Sequence, residues 1–217
     1  MKRILLVATV HEENGLASIS ALHAILERIR PAVIFLEIPW TAFEDYAQGT
    51  RSNLESSAAR LYRERSSVVL IPVDSPTPEE SFFRDWEYMD RRIAKTNPAY
   101  RQLIDQNSRD IATYGFPYLN SERSSRAWSD IYETMDDAIE RLRHDTKLSE
   151  FYELWRHTND LRDREMLRRI DDYCLHKPFE NGVFLVGAAH RQSIIMKSRE
   201  GRDTGAPKIE FNDSYAP

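Results

Sequence analysis

Two histidines close two apolar runs that lie far apart in the chain. The first run, Ile4-Leu5-Leu6-Val7-Ala8-Thr9-Val10, leads into His11; the second, Val183-Phe184-Leu185-Val186-Gly187-Ala188-Ala189, leads into His190. A short continuous apolar run reads as a strand covered on both faces, and in an open parallel sheet the crevice past the carboxyl ends of the strands carries the chemistry. Two imidazoles delivered there can ligate a metal ion or serve as acid and base. Carboxylates arrive by the same route. Glu37 interrupts Val33-Ile34-Phe35-Leu36-Glu37-Ile38, where burial of its charge is costly unless it is paired or coordinated. Asp74 follows Ile71-Pro72-Val73, although Asp74-Ser75-Pro76 is also an ordinary turn sequence. His11, Glu37 and His190 make a ligand set suited to zinc, manganese or cobalt, and with Asp74 they equally make a metal-free acid/base set. The bland alternative is that both histidines satisfy backbone groups at strand ends.

Three more residues belong to this reading. Glu12 and Glu13 follow His11 directly. Either is placed to act as a base on an activated water, or to be the solvated acidic first turn of a helix. The His-Glu-Glu order is not the zinc-binding His-Glu-x-x-His, because position 15 is glycine. Arg162 carries a planar fork suited to a substrate anion or carboxylate, or to a salt bridge with Glu37.

These residues need a scaffold. Strands are expected over 3–10, 32–38, 68–73, 183–189 and, more weakly, 208–212. Leu16, Ile19, Leu22, Leu26 and Ile29 recur at helical spacing and stop before Pro31, so the chain opens with a β-α-β unit. A helical stretch is expected over 43–65. From 78 to 176 no strand is visible. That stretch reads as four or so helices, broken near Asn97-Pro98 and Gly115-Phe116-Pro117, that cap the carboxyl edge of the sheet. Its aromatics, Trp86, Tyr132, Tyr152 and Trp155 among them, are either helical core or a lid over an apolar pocket. The fold expected is α/β: one domain over 1–217, with a mainly parallel sheet of about five strands in the order 3-2-1-4-5, flanked by helices. The all-helical insertion falls between strands 3 and 4.

Composition narrows the function. The 217 residues carry a net charge of −5 with no basic block, which argues against a nucleic-acid partner. The seven glycines form no phosphate-binding loop, and no Gly-x-Ser-x-Gly elbow occurs. The single cysteine, Cys174, rules out an intramolecular disulfide and reads as a core residue in a reducing compartment. The opening apolar run ends too soon for a secretory signal, and no run has membrane-spanning length, so a cytoplasmic protein without a membrane partner is expected. His23 reads as a helix-edge residue, and His144, His157 and His176 as solvated.

The motifs resemble the TraB/Tiki superfamily, which includes erythromycin-esterase-like and ChaN-like proteins. That group is marked by Gly-x-x-His after the first strand, a Glu ending the second, and another Gly-x-x-His after a late strand. Gly187-Ala188-Ala189-His190 matches the last in full, and Glu37 matches the second. Arg162-Asp163-Arg164-Glu165-Met166 fits an Arg-Asp/Asn-x-x-Met box of some members, and Asp74-Ser75-Pro76 fits an Asp-x-Pro. The first motif departs: Ala8-Thr9-Val10-His11 has alanine for glycine, which matters if a positive φ or close backbone approach is needed there. Tiki-like members look like metal-dependent peptidases, erythromycin-esterase-like members hydrolyse a lactone ester without a metal, and ChaN-like members bind haem. The resemblance therefore implies a hydrolase of an ester, lactone or peptide bond acting on a small molecule or peptide. The alternatives are a non-enzymatic haem- or metal-binding module and a partner-binding protein with a degenerate site.

Overall fold

A computed structural model describes residues 2–200 and the backbone of residues 210–212. The five strands are β1 (Arg3–Thr9), β2 (Val33–Pro39), β3 (Val69–Asp74), β4 (Asn181–Gly187) and β5 (Glu210–Asn212). All their pairings are parallel. The class and the strand positions agree with the sequence pattern; residues 208–209 lie outside the described residues.

The order does not agree. It is β3-β2-β4-β1-β5, so β4 lies between β1 and β2 rather than outside β1. The expectation assumed that consecutive strands pair. Burial overrides that assumption: six of the seven residues of β4 are buried, the pattern of a central strand. Gly182 shows how closely β4 is enclosed. A Cβ there would lie 3.1 Å from Val33 Cγ1 of β2 and 3.5 Å from Ile4 Cγ1 of β1. Pro72, which cannot donate to a ladder, sits on the edge strand β3, where that defect is tolerated.

Helices cover both faces. On one side lie α1 (Ile19–Ile29) and α3 (Leu54–Arg63), packed on Val7, Ile34, Leu36 and Leu185. The 43–65 stretch is two helices, not one. The short α2 (Phe43–Gln48) ends at Gly49 with φ 82°, and α3 restarts at Asn53 with a reciprocal capping box to Ser56. The other face is covered by the C-terminal half of α7 (Thr146–His176), through Met166, Ile170 and Cys174, and by α8 (Arg191–Glu200), through Ile194 and Ile195.

The remaining helices are α4 (Glu80–Thr96), α5 (Pro98–Leu119) and α6 (Glu122–Arg141). Together with the N-terminal half of α7 they enclose a third core around Met89, Ile93, Ile131, Met135 and Phe151. The expected breaks are present: Asn97 caps α5, and Gly115 kinks it with φ 58°. At 31 residues α7 is about 46 Å long, so a single rigid helix belongs to both the cap and the sheet layer.

Among the described residues, β5 pairs with β1 as far as Leu5. Further along, the Asn120 side chain serves that edge. Its Oδ1 accepts from Ala8 N–H at 2.7 Å, and its Nδ2 donates to Ala8 C=O at 3.1 Å. Asn120→Ala leaves both buried backbone groups unpaired, and we expect a loss of about 1–3 kcal/mol in urea unfolding. An unchanged midpoint would mean that this edge is satisfied some other way.

Candidate active site

Glu37 sits where β2 leaves its regular pairing with β3. Three steps from Leu36 to Pro39 oppose two from Pro72 to Asp74, a bulge of the kind that re-aims side chains. The carboxylate is buried and fully engaged. Gly187 N–H donates to Oε2 at 2.6 Å, Arg162 Nη2 donates to Oε1 at 2.8 Å, and His190 Nε2 lies 3.4 Å from Oε1. Burial would raise its pKa, but His190, Arg162 and His11 outweigh that and hold it below the usual range.

Arg162 lies midway along α7, where the helix passes over the carboxyl edge. It forks onto Asp74 through Nε at 3.0 Å and Nη2 at 2.8 Å. Asp74 also accepts from Ser75 N–H at 2.8 Å. The salt-bridge reading of Arg162 and the turn reading of Asp74 therefore both hold. Asp74 is buried as the partner of Arg162 and does not face the cleft as a base. Arg162 Nη1 is directed to Asn159 Oδ1 at 3.3 Å and lies at the cavity wall.

Each histidine has its own buried carboxylate. His190 Nδ1 lies 2.7 Å from Asp163 Oδ1, one residue beyond Arg162. Asp163 Oδ2 accepts from Lys197 at 3.1 Å, and Lys197 also pairs with Asp160 at 3.0 Å. His11 Nδ1 lies 3.1 Å from Glu55 Oε1, the oxygen that also accepts the Thr9 hydroxyl at 2.6 Å. The two supports come from opposite layers, Glu55 from α3 and Asp163 from α7. The exposures differ: the His190 side chain is 13% exposed and that of His11 58%.

The two rings and Glu37 meet above Gly187. A Cβ on that residue would lie 3.2 Å from Glu37 Oε2, 3.8 Å from His190 Cδ2 and 3.9 Å from His11 Cε1. The convergence of His11, Glu37 and His190 expected from the sequence is thus present, and glycine is what leaves room for it.

Glu12 is different: it is exposed and lies outside the cavity wall. Glu13 is also exposed, and its carboxylate accepts from Ile19 N–H at 2.8 Å, at the start of α1. Neither is in the first turn of a helix, since α1 starts at Ile19 behind the Ser18 cap. His23 sits against Tyr62 and Glu27, Cys174 is buried, and His144, His157 and His176 are exposed, as the sequence suggested. Sequence reasoning missed Glu55 as a site residue and quoted Asp163 only within a motif. Both had a signal. Glu55 shares a helical stripe with Ala58, Ala59 and Tyr62, and Asp163 one with Met166, Ile170 and Cys174. Each is the charged residue where the period demands an apolar one.

As arranged, the donor atoms are held by one another and by Arg162 rather than left open to a metal ion. Both Glu37 oxygens are taken, one of them by a guanidinium, and both His190 nitrogens face carboxylates. Among the described residues no group of three or more His, Cys, Asp or Glu side chains is disposed to hold a metal.

The Glu55 hydrogen bond outweighs partial burial and raises His11 to about 9. Burial alone would lower His190, but the Glu37 charge and the Asp163 bond reverse this and raise it. The sign for stability follows. Histidines raised on folding stabilise the protein fully below their ordinary value of 6.5, and that contribution is lost as pH climbs through about 9 for His11. Glu37 and Asp163 are lowered on folding, so their contribution is present above ordinary carboxylate values and lost as pH falls. We expect Glu55→Gln to bring the NMR-titrated His11 pKa from about 9 down toward 6.5. A titration unmoved by the change would separate Glu55 from His11 electrostatically.

Comparisons of the chain with protein-family models, with curated proteins and with solved structures found no match.

Proposed function

We propose that the chain is a metal-independent hydrolase of an ester, lactone or peptide bond. One observation carries the reading: two imidazoles, each gripped at Nδ1 by its own buried carboxylate, face a common point above Gly187 at the wall of a cavity of about 830 Å³. A carboxylate behind an imidazole fixes its tautomer and orientation, the arrangement used for general acid–base catalysis. Among the groups that the sequence resembles, the erythromycin-esterase-like one hydrolyses a lactone ester without a metal.

The exposures assign the roles. His11 holds Nδ1–H on Glu55 and presents Nε2 to solvent, so in its neutral form it takes a proton from an attacking water. The water oxygen bonds to the carbonyl carbon, and the electron pair of the C=O moves onto oxygen. Positive charge on the enclosed His190 and on Arg162 stabilises that oxyanion. When the intermediate collapses, the bond to the leaving oxygen or nitrogen breaks, and the leaving group takes the proton from His11. One water is consumed and no oxidant or cofactor enters. The lone buried Cys174 and the absence, among the described residues, of a helix long and apolar enough to cross a membrane are compatible with a cytoplasmic setting.

The test is a panel of esters, lactones and peptides assayed with EDTA-treated protein. Activity should survive the chelator. His11→Ala should lower kcat about 100-fold or more. Because the active form of His11 is neutral, kcat/KM should rise with pH toward about 9. Glu55→Gln should move that rise down toward 6.5, the ordinary histidine value. Hydrolysis that ignores His11→Ala, or that vanishes with EDTA and returns with zinc, would end this proposal.

A further inference from the structure

The cavity has a second wall, supplied by the cap. Trp86 of α4 and Trp155 of α7 stack with ring centres 4.9 Å apart and planes 23° apart. Tyr152, which is buried, lies 5.8 Å from Trp155 and 20° off parallel with Arg156 over its ring, and Tyr132 of α6 leans on Trp155 at 6.0 Å. All four rings line the same cavity as His11 and His190. Tyr132 also fixes where this wall stands relative to the histidines, because its hydroxyl donates to Ala189 C=O at 3.2 Å, next to His190.

The charges of the cavity constrain what can lie there. Its arginines and its lysine are already engaged: Arg162 with Glu37 and Asp74, Lys197 with Asp160 and Asp163, and Arg156 with Asp136 at 3.0 Å. Apart from His11, no cation of the wall can take an incoming carboxylate or phosphate without losing one of these carboxylates, and Asp136, Glu153, Asp160 and Asp163 line the same wall. Parallel rings beside neutralised ion pairs favour a flat apolar group instead.

We infer that the aromatic wall is the subsite for an uncharged aromatic ring on the substrate, so the compound hydrolysed is a ring-bearing neutral ester or lactone and not an anionic one. This rests on the hydrolase reading for its chemistry but not for its binding. Stacking acts on substrate and transition state alike, so it should appear in KM rather than kcat.

The experiment compares 2-naphthylmethyl acetate with ethyl acetate, whose alcohols leave about equally well. The naphthyl ester should show a KM about tenfold lower. Trp155→Ala should erase that advantage with kcat little changed, and Trp155→Phe, which keeps a stacking face, should retain it. Circular-dichroism melting confirms that both variants fold. Calorimetry on His11→Ala separates the two readings: 2-naphthalenemethanol should bind saturably and lose about tenfold affinity when Trp155→Ala is added. Binding without hydrolysis of any ester leaves the subsite standing and removes the hydrolase. Equal KM values for the two esters, 2-naphthalenemethanol binding indifferent to Trp155→Ala, or tighter binding of 2-naphthoate than of the neutral alcohol would each overturn the inference.

Discussion

A carboxylate buried among strands must be compensated on every side, and Glu37 sets this requirement for the whole carboxyl edge. Removing its charge from water costs several kcal/mol unless hydrogen bonds and counter-charge replace the solvent. The replacement comes from three elements: the Gly187 N–H at the end of β4, Arg162 on α7, and His190 after β4. Arg162 in turn requires Asp74, and His190 requires Asp163. One buried oxygen pair therefore ties the ends of three strands to the middle of the longest helix. The cap inherits its position from this arrangement, because α7 belongs to both cores.

The charge count explains why the histidines differ from ordinary ones. Glu37, Glu55, Asp74, Asp160 and Asp163 are opposed by Arg162, Arg164 and Lys197, which leaves an excess of two formal negative charges at the site. Two imidazolium ions neutralise it. His190 sits between two of the carboxylates and is the more strongly enclosed. His11 meets one carboxylate and water. The excess raises both histidines, and their access to solvent, 58% for His11 against 13% for His190, separates them, which is the asymmetry an acid–base pair needs.

How much of this the sequence carries can be judged residue by residue. The apolar runs located the strands, and a charge inside such a run located Glu37. The periodicity of α1 and the break signals at Asn97-Pro98 and Gly115 located helix ends. Strand order was not legible, because the run lengths of β1, β2 and β4 are alike and pairing is decided by three-dimensional burial. That error matters for the site. In the expected order β2 and β4 are not neighbours, whereas in the observed one Glu37 stands beside Gly187, within reach of its N–H. Glu55 and Asp163 were legible in principle by the rule that found Glu37. In a buried strand the charge stands out inside a continuous apolar run, whereas in a helix a buried acid stands among apolar residues three, four or seven positions away.

The alanine at position 8 is resolved by register. In the sequence motif Ala8 occupies the place that Gly187 holds in Gly187-x-x-His190. In the sheet, however, the residue beside Gly187 is Thr9, and Ala8 pairs with Val186. Among the described residues Arg30 is the only non-glycine with positive φ, so Ala8 needs none of glycine's freedom. Space over the site is required above β4, where Glu37 and both imidazoles crowd Gly187. On β1 the equivalent row holds a hydroxyl, and Thr9 spends it on Glu55, the carboxylate that aims His11. Substituting glycine at position 8 would therefore add nothing the geometry lacks. The two histidine turns are alike in spelling but not in function: one keeps its strand end bare so that three side chains can meet, and the other fills its strand end with a group that holds one of them in place.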